Sequence, residues 1–118
     1  MSQNTDYLST HDRLKAGFRS LQHAIPEQMA GFGSMHAAAV ADGALSTKVK
    51  ELMALAIGIT SQCDGCIAFH VHDALRAGAT RAEIEETIGV ALLMGGGPAA
   101  VYGTEALAAL DQFEAESN

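Results

Sequence analysis

Ser46-Thr47-Lys48-Val49-Lys50-Glu51-Leu52-Met53-Ala54-Leu55-Ala56-Ile57-Gly58-Ile59-Thr60 is the stretch on which the fold turns. Ser46 or Thr47 suits a helix N-cap, because a short hydroxyl side chain can accept from the free amides of the first turn. Val49, Leu52, Met53, Ala56, Ile57 and Thr60 then follow the i, i+3, i+4, i+7 rhythm of one helical face. Ala54, Leu55, Gly58 and Ile59 make the opposite side apolar as well, so a central, buried helix is expected. Glu51 is the acidic exception in its first turns. It is either an exposed acid complementing the helix dipole or a group with a chemical task.

Outward from this helix the chain keeps reading as helical. Leu14, Phe18 and Leu21 mark a first helix behind the possible caps Ser9 and Thr10, ending before Pro26. Pro26 suits a first helical position, and a second helix is expected through Met29, Phe32, His36 and Val40 to Asp42-Gly43. A helix around Cys63 and Cys66 should stop at Gly78. Thr80-Arg81-Ala82-Glu83 fits a capping box, opening a helix with Ile84, Ile88, Ala91 and Leu92 inward. Gly95-Gly96-Gly97-Pro98 breaks it, and a last helix carries Tyr102, Ala106, Leu110 and Phe113 on one side, with Glu114 to Asn118 frayed. The expectation is an all-α domain of about six helices spanning residues 1–118.

Composition excludes several function classes. The chain has 118 residues, 48% hydrophobic and 18% charged, which suits a folded core rather than disorder. Seven Lys plus Arg against fourteen Asp plus Glu give −7, so unspecific binding to nucleic acid or to an anionic membrane is not expected. Met1 to Thr10 is polar, unlike a secretory leader, and the uncharged run after Thr87 is cut by its glycines into halves too short to span a bilayer. A cytoplasmic location is expected. The methionines, including Met53 and Met94, read as core filler, and His11, His23 and His72 as solvated. His36, on an apolar side, reads as a core or subunit contact.

The chemistry concentrates in Cys63-Asp64-Gly65-Cys66. On a wheel of about 100° per residue, Cys63, Cys66 and His70 fall within roughly 60° of one another, while His72 lies about 180° from Cys63. Two cysteines so spaced can close a disulfide, and a helix N-terminus favours thiolate over thiol. An imidazole one turn beyond Cys66 can take its proton, making Cys66 the expected nucleophile and Cys63 the resolving thiol. Zinc ligation by the cysteines, which lacks an evident fourth ligand, and an inert buried pair are the rival readings.

Glu51, eleven residues, Cys63-x-x-Cys66, three residues and His70 together resemble the signature of the alkyl hydroperoxidase D-like family, within the carboxymuconolactone decarboxylase superfamily. The likeness runs over about residues 46–110. It implies an all-α protein assembling as a homotrimer or homohexamer, with a proton relay from Cys66 through His70 to Glu51 and Cys63 as resolving partner. It implies an oxidoreductase that reduces organic hydroperoxides, or a partner's disulfide. Electrons would come from a thioredoxin-like or lipoyl-bearing protein, with no metal or other cofactor in the chain. One departure is Gly65, where the best-known hydroperoxidases carry histidine. The alternatives are a lyase acting on a lactone acid, as elsewhere in the superfamily, and a non-catalytic oligomeric interaction module.

Overall fold

The computed structural model describes residues 5–117. Five helices follow in order: α1 (Tyr7–Ala24), α2 (Pro26–Val40), α3 (Thr47–Thr60), α4 (Asp64–Arg76) and α5 (Arg81–Ser117). There is no strand among the described residues. The expected sixth helix is the second half of α5, since Gly96 (φ 67°, ψ −147°) leaves helical geometry and bends the element within the glycine run. That left-handed backbone is one an L side chain rarely adopts.

Local chemistry accounts for most helix ends. The Ser46 hydroxyl accepts from the Val49 amide at 3.2 Å, opening α3. The capping box opens α5 as expected. Thr80 N–H donates to Glu83 Oε1 at 2.8 Å and Glu83 N–H to Thr80 Oγ1 at 3.1 Å. Pro26 holds the first position of α2. At α1 the expectation misplaced the start: Asp6 is the cap, accepting from Ser9 N–H at 3.0 Å, one turn before Ser9 and Thr10. The far end also differs. α5 stays helical through Ser117, braced by Arg81, whose Nη1 reaches Asp111 at 2.8 Å and Glu114 at 2.6 Å. The last residue of the expected frayed tail, Asn118, lies outside the described residues.

The core sits where α3 meets α4 and the two halves of α5. Leu55, Ile59, Ile67, Val71, Ile84, Ala106 and Leu110 are wholly buried there, and Phe113 nearly so. The α5 halves approach so closely that a Cβ on Gly103 would lie 2.9 Å from Ile88 Cγ2. α1 crosses α4 and α5 and is pinned at its start by Tyr7, fully buried, whose hydroxyl donates to Glu105 Oε1 at 2.5 Å. Gln112 accepts from Tyr7 N–H at 2.7 Å and donates to Thr5 O at 2.9 Å.

Three expectations of burial fail, for one reason. α3 buries Glu51, Leu55, Gly58 and Ile59 but presents Val49, Met53 and Ile57 to the outside, Ile57 at 63% exposure. Leu92 points out, as do Leu93 and Met94, so Met53 and Met94 fill no core within this chain. α2 buries none of its residues, and His36 is exposed. An all-round apolar helix signals that both sides meet something apolar, and here one chain covers only one side. No helix among the described residues is long and apolar enough to cross a membrane.

Candidate active site

The site is built on a three-residue joint between α3 and α4. α3 closes with Gln62 in left-handed backbone (φ 58°), so that Cys63 N–H reaches Gly58 O at 3.1 Å and Gln62 N–H reaches Ile59 O at 3.1 Å. Gly78 makes the same closure at the end of α4 (φ 97°), the residue type for which that conformation carries no penalty. Gln62 therefore holds strained backbone beside the cysteines. Cys63, whose N–H closes onto the last turns of α3, also caps α4: its Sγ accepts from Cys66 N–H at 3.1 Å.

Cys63 and Cys66 are joined as a disulfide, their Cα atoms 5.2 Å apart. In this form neither offers a thiolate to zinc. The bridge sits hard against α3, where a Cβ built on Gly58 would lie 3.0 Å from Cys66 Cβ. On the other flank, a Cβ on Gly65 would lie 2.7 Å from Leu14 Cδ1. A side chain at 65 would therefore have to move the tip of Leu14 on α1 aside.

One turn beyond Cys66, His70 Nδ1 lies 2.7 Å from Glu51 Oε1. Glu51 is 3% exposed, so the reading of an exposed first-turn acid does not hold: α3 brings this carboxylate into the protein opposite His70. An ionised carboxylate can only accept, so opposite one Nδ1 carries the hydrogen and Nε2 is the ring nitrogen left for other work. Such a pair fixes tautomer and ring orientation together.

Asp73 adds a third donor. One atom from each of Glu51, His70 and Asp73 lies within 4.8 Å of the others, a spacing able to hold a divalent cation. Asp73 Oδ1 is already engaged by His72 Nδ1 at 2.8 Å, and His70 Nδ1 by Glu51 Oε1.

Sulfur, imidazole and the adjacent Gly65 face a cavity of about 650 Å³ between α1, α2 and α4. Its walls are mainly apolar, with Leu14 and Phe18 from α1, Met29 and Phe32 from α2 and Phe69 from α4. Two histidines expected in solvent belong to this region instead. His11 is buried, its ring 4.7 Å from Phe69 and 4.2 Å from His72, and His72 packs edge-on against Phe113 at 5.5 Å. Burial first, and then neighbouring His72 and Lys15, hold His11 below the ordinary imidazole value. The signal was present: Tyr7, His11, Leu14, Phe18 and Leu21 form one i, i+4, i+7, i+11, i+14 stripe. Glu105, the buried partner of Tyr7, had no comparable motif. Burial, then the bond to Glu105, pushes the Tyr7 phenol far above its ordinary value.

Comparison with known proteins places this arrangement. The carboxymuconolactone decarboxylase family matches residues 26–109. An uncharacterized protein of Cupriavidus necator is 39% identical over 111 residues, covering 94% of this chain and 98% of its own. The crystal structure of a carboxymuconolactone decarboxylase family protein from Legionella pneumophila superposes with a TM-score of 0.88 at 41% identity, over 91% of this chain and 96% of that one. A Thermotoga maritima member, for which a part in an antioxidative response has been suggested, gives a TM-score of 0.71 at 29% identity, over 76% and 93% of the two chains. By sequence and by fold, the chain belongs to the carboxymuconolactone decarboxylase family.

Proposed function

We propose that the protein is a thiol-dependent reductase of organic hydroperoxides, cycling Cys63 and Cys66 between dithiol and disulfide. The observation that carries the reading is a disulfide open to a cavity, one turn from an imidazole held at 2.7 Å by a buried carboxylate. In the reduced protein, His70 Nε2 takes the Cys66 proton and the thiolate attacks the outer oxygen of R–O–O–H. A sulfur–oxygen bond forms, the oxygen–oxygen bond breaks, and the departing alkoxide leaves as R–OH with the proton from His70. Cys63 then attacks the sulfenic sulfur of Cys66. The disulfide forms, and hydroxide leaves with the Cys63 proton as water. The peroxide has gained two electrons and the sulfur pair has lost them. A dithiol donor, such as a thioredoxin-like or lipoyl-bearing protein, restores them by exchange. The same exchange allows a partner's disulfide as substrate. Such a cycle suits a reducing compartment, the cytoplasm.

Self-association goes with this reading. Val49, Met53 and Ile57 on α3, with Leu93 and Met94 at the α5 bend, are exposed apolar side chains that a homotrimer or homohexamer would bury.

The test is a thiol count on reduced protein before and after one equivalent of cumene hydroperoxide. Two thiols per chain should disappear without crosslinks between chains, and Cys66→Ser should consume no peroxide. Peroxide consumption by Cys66→Ser at the wild-type rate refutes the assignment. Lyase activity on a lactone acid that survives alkylation of both thiols would replace it.

A further inference from the structure

We propose that the cleft beside the disulfide is a binding site for long-chain organic acids, and that the peroxide reduced at Cys66 is carried on such an acid. The second half rests on the reductase reading above; the first does not. A volume of about 650 Å³ falls within the range of about 300–1,000 Å³ usual for small-molecule sites, which are mostly apolar with a few placed polar groups. Leu14, Phe18, Met29, Phe32 and Phe69 supply aliphatic and aromatic wall from three helices, a surface that fits hydrocarbon.

Charge fixes the other end of the ligand. Lys15 and Arg76 line the same cleft and are exposed, with stems able to lie along apolar wall and heads in water. Among the described residues neither makes an ion pair; Arg13 and Arg19 are also without one but do not line the cleft, and Lys48, Lys50 and Arg81 are each engaged by protein oxygen. The carboxylate in the lining, Asp73, is held by His72. A chain of net charge −7 thus keeps two unpaired cations at an apolar cleft, a pattern that recognises an apolar tail ending in an anion. Hydrocarbon along Phe18 and Phe32 with its carboxylate at Lys15 and Arg76 leaves the body of the chain beside sulfur. A hydroperoxide within the chain, rather than at the charged end, would meet Cys66.

The test uses the full-length oxidised protein, which cannot turn over, with dodecanoate and dodecan-1-ol titrated calorimetrically below micelle-forming concentrations. Dodecanoate should bind one per chain and about tenfold tighter than the alcohol at low ionic strength. Lys15→Gln combined with Arg76→Gln, both surface changes checked by circular dichroism, should bring the acid down to the alcohol's affinity. Phe32→Asp should weaken both. Equal affinity for acid and alcohol in the wild type overturns the proposal, as does an undiminished preference in the double variant or no binding of either probe. Charge-selective binding without thiol loss to any hydroperoxide would keep the site and remove the reductase. Thiol loss to cumene hydroperoxide without dodecanoate binding would do the reverse.

Discussion

Gly58→Ala separates packing at the disulfide from intrinsic helix preference. In an unobstructed helix the change stabilises by about 1 kcal/mol, because glycine loses more backbone freedom on folding than alanine. At Gly58 the new Cβ would lie 3.0 Å from Cys66 Cβ, 3.6 Å from Cys66 C and 3.7 Å from Ile67 N. Carbon atoms settle at about 3.5–4.0 Å, so α4 must retreat by a few tenths of an ångström. Nothing there is a flexible tip. Cys66 is bonded through sulfur to Cys63, and Cys63 N–H is bonded to the carbonyl of Gly58 itself. Overpacking of this kind costs about 1–3 kcal/mol, so the sum is a loss of roughly 0–2 kcal/mol. For a domain of this size each kcal/mol lowers the melting temperature by about 4 °C. The same retreat shifts sulfur relative to His70, and a misplacement approaching an ångström can slow attack by up to about 10²-fold. Thermal unfolding and the second-order rate of thiol loss to cumene hydroperoxide measure the two effects. Gly17→Ala and Gly89→Ala are the controls, since a Cβ at either meets nothing within 4 Å. A Gly58→Ala protein stabilised as much as these controls, with an unaltered rate, refutes the reasoning.

Three further outcomes follow from named contacts. Glu51→Gln keeps shape and an acceptor for His70 Nδ1–H but removes the charge; thiol loss to peroxide should slow by about 10²-fold or more, with the melting temperature little changed. His11 is harder to protonate in the fold than in the unfolded chain, so on acidification the unfolded chain binds more protons and stability falls. Urea unfolding from pH 7.5 to 5.5 should therefore show a shallower pH slope in His11→Gln than in wild type. Tyr7→Phe strands the buried Glu105 carboxyl and should cost about 1–3 kcal/mol, while Glu105→Leu in the same chain should recover part of it; a double-mutant cycle with no coupling removes the pair from the stability account.

Much of this was legible from residues alone. Ser46, Thr80 and Glu83 cap as their types dictate, and the glycines at 95–97 break α5 because Gly96 takes backbone that side chains avoid. The spacing of Cys63, Cys66 and His70 follows from one helix, so periodicity finds it. Glu51 lies on another helix, and only the way α3 packs on α4 brings it to the imidazole; spacing in the chain contains no such distance. The cavity was hidden for a similar reason, being made by α1 and α2 approaching from elsewhere. His11 was misjudged because polar residues around it masked the stripe from Tyr7 to Leu21. Periodicity reports that Ile57 and Met94 want apolar surroundings, but not whether those come from the same chain.

The double duty of Cys63 has a practical corollary. Because its sulfur receives the backbone proton of residue 66, that proton senses whether the acceptor is a bridged sulfur, a thiol or an anion. In a nitrogen-15 NMR spectrum, the Cys66 resonance should act as an oxidation gauge needing no added dye. Its solvent-exchange rate would also say how firmly the helix start is tied in each redox form.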